Sequence, residues 1–301
     1  MNTYVNFNGE IIPASRAILT ADNRSFRYGD GLFETIKVVN GRIILENYHF
    51  ERFISGAAIL QFDPAPDFSR KLLTVQILDL CARNGHLQHA RVRLVLFRGN
   101  GGLFDSPDNF PNYIIQSWAL PAVEGEAAYV EREAAYSDRQ GHQWVIGIFP
   151  DARKSCDLYA NLKSNNYQAS VQAAIYARRH QLNDCLILNS YGRIAESSIA
   201  NLFYCKNGKI FTPPLSEGCV AGVMRRFLLV EAEKEGWDLI EQVTTVEELE
   251  SADEVFLTNV IQGVRRVSGL RNVPGGDLSG KIYNDRQIFT RCQELIQKKL
   301  Y

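Results

Sequence analysis

The spacing of apolar residues changes repeatedly along this chain, and no other feature limits its possible folds as strongly. Near the N-terminus, Thr3 to Phe7, Leu32 to Val39 and Arg42 to Leu45 read as strands. Asn40-Gly41 between the last two is a hairpin signal, because both residue types tolerate a positive φ. Phe50, Phe53, Ile54, Ala57 and Ala58 then recur at helical spacing, and 68 to 83 predicts a second amphipathic helix ending near Asn84-Gly85. The strand Arg91 to Phe97 leads into Arg98-Gly99-Asn100-Gly101-Gly102, a loop whose glycines allow close approach to a ligand. With Tyr113 to Trp118 as a further strand, this part is expected to be one sheet covered by two helices.

The proline and glycine in Leu120-Pro121-Ala122-Val123-Glu124-Gly125 mark the best linker. The reading is a small N-terminal α/β domain over 1–119, a linker over 120–125 and a larger mixed domain over 126–301. In the second domain, helices are expected at Ser164 to Gln181, Val223 to Glu235 and Lys281 to Leu300. Strands are expected at Asp184 to Leu188, Ile199 to Tyr204 and Glu254 to Leu257, with Asn207-Gly208 closing a hairpin. Strands and helices mix without the regular alternation of a doubly wound sheet, so the class is α+β.

Hydrophobic residues make up 46% of the 301, enough for a sizeable core, yet no run is long enough to span a bilayer. Met1 to Asn6 has no basic region followed by an apolar segment, which makes the cytoplasm the expected location. A net charge of -1 gives no global field for nucleic acid or an anionic membrane, so a small molecule is the expected partner. Cys81, Cys156, Cys185, Cys205, Cys219 and Cys292 lack the paired short spacing of a zinc or dithiol site and read as reduced core residues, with no metal expected.

Five segments, in order, carry a resemblance. They are Tyr28-Gly29-Asp30-Gly31-Leu32-Phe33-Glu34-Thr35, His49-Phe50-Glu51-Arg52, Leu162-Lys163-Ser164-Asn165-Asn166-Tyr167, Glu196-Ser197-Ser198-Ile199-Ala200-Asn201-Leu202-Phe203 and Gly218-Cys219-Val220-Ala221-Gly222-Val223-Met224-Arg225. Together they resemble the class IV aminotransferases, the fold-type-IV pyridoxal-phosphate enzymes. The resemblance implies pyridoxal 5'-phosphate held between the two domains and a homodimer acting on a small amino substrate. It implies that Lys163 holds the cofactor as a Schiff base and then moves the substrate's Cα proton. Glu196 would face the pyridine nitrogen, Tyr167 the phenolic oxygen, and Arg52 the phosphate, although by pattern alone Arg52 reads equally as a surface charge. Val223 and Met224, opening a helix after Gly222, would offer the phosphate backbone N–H groups, with Thr258 beside them.

Substrate recognition is expected from Arg98, whose fork suits a carboxylate, although a solvated loop arginine is the alternative reading. Tyr28 and Asn259 join it as substrate-facing residues and Thr35 as a catalytic helper. Within the family, three details look most like the aminodeoxychorismate lyases: the Tyr28 to Thr35 segment, Arg98 to Gly102, and Leu257-Thr258-Asn259. Branched-chain transaminases usually carry a Gly-Thr-Ala-type stretch at this last place and one more residue between the lysine and the tyrosine. The expected reaction is therefore 4-amino-4-deoxychorismate to 4-aminobenzoate and pyruvate, towards folate. A branched-chain L- or D-amino-acid transaminase and a non-catalytic pyridoxal-phosphate-binding protein are the alternatives.

Overall fold

The computed structural model describes residues 3–64, 68–105, 109–121, 143–271 and 280–301. The chain divides into two compact units, residues 1–122 with 162–166, and 123–161 with 167–301. Most of the linker expected over 120–125 lies outside the described residues. Leu162 to Asn166, which the sequence reading gives to the second domain, belongs with the first unit.

In the first unit the strands are β1 (Tyr4–Phe7), β2 (Glu10–Pro13), β3 (Gly31–Val39), β4 (Arg42–Ile43), β5 (His89–Phe97) and β6 (Asn112–Ala119). They form one antiparallel sheet in the order β2-β1-β6-β5-β3-β4. Its helices are α1 (Arg24–Tyr28), α2 (Glu46–Ile59) and α3 (Arg70–Arg83). Asn40 and Gly41 turn β3 into β4 with φ of 48° and 71°, as their residue types predict. Side chains alternate across β3, so Leu32, Ile36 and Val38 face Phe50, Phe53 and Ala57 of α2 and Leu73, Ile77 and Leu80 of α3 in one core. Each such buried side chain contributes about 1.5–3 kcal/mol. Gly56 lets α2 approach closely, since a Cβ there would meet Leu32 at 3.0 Å. Arg27 and Tyr28 lie in α1, because Asn23 caps Ser25 and Phe26 and Gly29 (φ 69°) ends the turn.

The second unit holds two five-stranded sheets. One contains β7 (Val145–Lys154), β8 (Asp184–Asn189), β9 (Ile194–Ser197), β15 (Gly269–Arg271) and β16 (Lys281–Ile282). The other contains β10 (Asn201–Lys206), β11 (Lys209–Thr212), β12 (Leu239–Glu241), β13 (Glu254–Asn259) and β14 (Gly263–Val267). Ile146, Leu186 and Ile194 of the first sheet share a core with Leu202, Val255 and Leu257 of the second. Helix α4 (Gln168–Arg179) buries Ala173 and Ala177 against Phe149, Cys185 and Ile187. With both faces covered, β8 is buried at every residue. Helices α5 (Val223–Lys234) and α7 (Gln287–Leu300) pack on the β10–β13–β14 sheet, and α6 (Val246–Glu250) is short. The helix expected from Lys281 begins only at Gln287, because 281–282 pairs with β15 as a strand. The α+β class holds in both units.

Candidate active site

A strand that buries one face has no room for an acid there unless cations meet it. Glu34 shares the core-facing side of β3 with Leu32 and Ile36 and is 1% exposed. Helix α2 supplies the partners from residues three apart, hence on one face. His49 lies 2.7 Å from Glu34 through Nδ1, and Arg52 donates from Nε at 2.7 Å and from Nη2 at 2.6 Å. Burial raises the Glu34 carboxyl, but Arg52 and His49 outweigh it and hold the group at about 2. Burial pulls His49 below its ordinary value against the attraction of Glu34, and Nδ1 is the ring nitrogen that meets the carboxylate.

Leu162 to Asn166 runs along the edge of β3 that β5 leaves unpaired. Phe33 N–H donates to Lys163 O at 2.9 Å, Asn165 N–H donates to Gly31 O at 2.9 Å, and Leu32 bridges Ser164. This antiparallel register sets Lys163 across from Phe33, and its Nζ lies 4.4 Å from the ring centroid. The Arg93 guanidinium lies 3.9 Å from the same centroid, and Arg93 pairs in register with Thr35. Lys163 therefore belongs to an extended segment and not to a helix, and α4 starts at Gln168 with Tyr167 as its N-cap residue. The expected helix start at Ser164 fails because the backbone of 163 and 165 is bonded to β3 instead.

Arg98 is 8% exposed rather than solvated. Its Nε stands 3.3 Å from Asp30 Oδ2, its Nη2 donates to Leu60 O, and its guanidinium lies 4.3 Å from the Phe62 centroid. Asp30 also pairs with Arg24 at 2.9 Å, so this cluster fixes the glycine loop to α1. Tyr28 is 40% exposed and carries Arg24 and Arg27 over its ring.

The second unit brings the other named residues into two groups. Glu196, on β9, is 4% exposed where composition alone reads a surface acid. One carboxylate oxygen accepts from Lys154 Nζ and the other from Val220 N–H at 2.9 Å. Nearby, Gly222 starts α5 with no side-chain cap, leaving the first-turn N–H groups of Val223 and Met224 to meet an acceptor. A Cβ on Gly222 would sit 1.9 Å from Asn201 Oδ1, so only glycine permits this approach. Asn201 donates to Val220 O at 2.9 Å and pairs in register with Thr258, whose buried Oγ1 has no hydrogen-bond partner among the described residues. The Asn259 side chain is used locally, accepting from Ile261 N–H at 3.0 Å and Gln262 N–H at 2.8 Å.

Five of the six cysteines are core groups, and Cys156 is only half-buried. Burial pushes Cys81, Cys185, Cys219 and Cys292 up to about 12, and among the described residues no cluster suits a metal. Nor is any described helix long and apolar enough to cross a membrane.

The family model for amino-transferase class IV matches residues 31–270, which takes in Glu34, Arg52, Lys163, Glu196, Gly222 and Thr258. The chain belongs to the class IV aminotransferase family. Aminodeoxychorismate lyase of Vibrio harveyi is 32% identical to this family member over 253 residues, 82% of this chain and 86% of the relative. Branched-chain-amino-acid aminotransferase of Escherichia coli (strain K12) is 27% identical over 279 residues, 89% of this chain and 86% of the relative. The fold is shared with the branched-chain aminotransferase of the thermophilic archaeon Thermoproteus uzoniensis, solved with norvaline, at a TM-score of 0.82 and 22% identity, covering 98% of this chain and 94% of that one. The protein is thus a class IV aminotransferase-family enzyme of fold type IV.

Sequence reasoning missed four residues of this enzyme's two sets. Glu34 carried a signal, being an acid in phase with Leu32 and Ile36, and Arg93 likewise falls out of phase with Val92 and Leu94. Lys154 and Asn201 carried none, since their partners are distant in sequence.

Proposed function

We propose that this enzyme uses pyridoxal 5'-phosphate and converts 4-amino-4-deoxychorismate to 4-aminobenzoate and pyruvate. The residues fit such a cofactor. A phosphate dianion needs converging donors, and three features supply them in one place: the uncapped start of α5, the glycine-only approach at Gly222, and the Thr258 hydroxyl, which has no partner among the described residues. Bound there, the cofactor supplies an aldehyde that condenses with amines and a ring that accepts electron density from the substrate's Cα.

Lys163 is the anchoring amine, and when released its Nζ moves the proton at Cα. Phe33 covers one side of this amine, and the Arg93 guanidinium lies over the same ring. Glu196 is the acceptor for the ring nitrogen's proton, and Tyr167 donates to the phenolic oxygen. Arg52, whose Nε and Nη2 are held by Glu34, is assigned to the phosphate by the family resemblance. Arg93 and Thr35, side by side on the Lys163 face, are the groups placed to meet substrate, and Tyr28 and Asn259 are assigned to it by the family resemblance. Arg98 pairs with Asp30 through Nε and donates to Leu60 O through Nη2, while its buried Nη1, without a hydrogen-bond partner among the described residues, is the donor for the substrate carboxylate.

The observation that carries the proposal is the convergence of Lys163 and Arg93 on the one Phe33 ring, on the face of β3 turned away from the core. The 32% identity to the Vibrio harveyi lyase favours the lyase reaction, and the 27% identity to the Escherichia coli aminotransferase supports amino transfer to a 2-keto acid as the second reading. We read the enzyme as a cytoplasmic homodimer working towards folate. Cofactor-loaded protein incubated with aminodeoxychorismate is expected to release 4-aminobenzoate and pyruvate together. Amino transfer from an L- or D-amino acid without that release would move it to the transaminases.

A further inference from the structure

We propose that Lys154 is a positioning residue that acts through Glu196 and tempers that carboxylate's hold on a proton at the cofactor's ring nitrogen. The inference rests on the placement of Glu196 beside that nitrogen.

Backbone geometry brings the two side chains together at a cost in regular pairing. Between Phe149↔Ile187 and Lys154↔Asn189 the β7–β8 ladder loses register, β7 advancing five residues while β8 advances two. The β8–β9 ladder also shifts, between Ile187↔Glu196 and Leu188↔Ile194. Irregularities of this kind re-aim side chains, and these two flank the same place. Their joint result is the contact of Lys154 Nζ with Glu196 Oε1, with Lys154 15% and Glu196 5% exposed in their side chains. Ser190 N–H donates to Lys154 O at 3.2 Å and holds the end of β7 in place.

Around this pair the charges are settled. Arg225 pairs with Glu241, and the Cys219 thiol, raised by burial, stays protonated. Val220 N–H is a neutral donor. Lys154 is thus the cation that decides how much of the Glu196 charge is left for another group. A carboxylate facing only a pyridine nitrogen strongly favours the protonated ring, whereas an ammonium on its other oxygen opposes a second positive charge nearby. One such charge at contact range shifts a proton equilibrium by about 1–3 units, or tenfold and upward. The native pair therefore holds the ring at intermediate electron demand.

The test is the 15N signal of the ring nitrogen in protein loaded with 15N-labelled pyridoxal phosphate, read alongside the visible spectrum. Lys154→Gln, which keeps a donor but removes the charge, is expected to raise the ring nitrogen's protonation constant about tenfold or more, with the signal moving towards the protonated range. Lys154→Arg should restore the native signal, which a merely structural role does not require. Native-like signals in Lys154→Gln, with Glu196→Gln still shifting the nitrogen, overturn the role of Lys154 and leave Glu196 in place. If Glu196→Gln leaves the signal unmoved as well, the placement of Glu196 fails and the inference fails with it.

Discussion

Thr258 poses a question that one substitution answers. Its hydroxyl is buried without a partner among the described residues, a condition that costs about 1–3 kcal/mol when nothing compensates. Thr258→Val keeps the shape and removes the hydroxyl. The cofactor-free protein is then expected to be as stable as the native one or more so by denaturant titration, while affinity for pyridoxal phosphate falls. A loss of stability without loss of affinity would make the hydroxyl structural. At Lys163, replacement by alanine should abolish both turnover and the visible absorbance of the bound cofactor, and a variant retaining both would remove the lysine from its role. Glu34 makes a pH prediction. Its carboxyl is held at about 2 in the folded state against an ordinary value of 4.5, so between these the unfolded chain binds more protons. The stability it contributes is full above about 4.5 and fades as pH falls towards 2. Glu34→Gln should cost about 3–5 kcal/mol at neutral pH, and the gap to the native protein should narrow on acidification.

Elements were legible where local chemistry decided them, and less so where distant backbone did. Asn40-Gly41 and Asn207-Gly208 marked their hairpins, and the α2 and α3 faces followed from spacing, because turn conformations and apolar periods are properties of neighbours in sequence. The start of α4 was misplaced because Lys163 to Asn165 takes its hydrogen bonds from β3, about 130 residues earlier in sequence, which overrides local helical preference. The five motif segments named Lys163, Arg52 and Glu196 by resemblance, but not the contacts that make each one usable. The Glu34 clamp and the Lys154 pairing exist only through tertiary neighbours. At this scale the start of α5 is the element to test. Gly222→Ala would drive a Cβ into Asn201, costing about 1–3 kcal/mol in the melting curve and weakening cofactor binding together.

At the scale of the whole molecule, the order of the chain departs from a division into two consecutive halves. The first unit takes residues 1–122 and later reclaims 162–166, so the second unit starts, is interrupted and resumes at Tyr167. Leu162 sits in the first unit's core beside Leu32, and the backbone of 163 and 165 bonds β3. A polypeptide ending at residue 121 would lack this strip, leave the Phe33 N–H and Gly31 C=O unpaired, and keep no anchoring lysine. Such an ancestry is hard to reach by splicing two finished modules end to end. Recombination between relatives of this enzyme should succeed with crossovers that keep 31–39 and 162–166 from one parent, and fail where they are drawn from different ones.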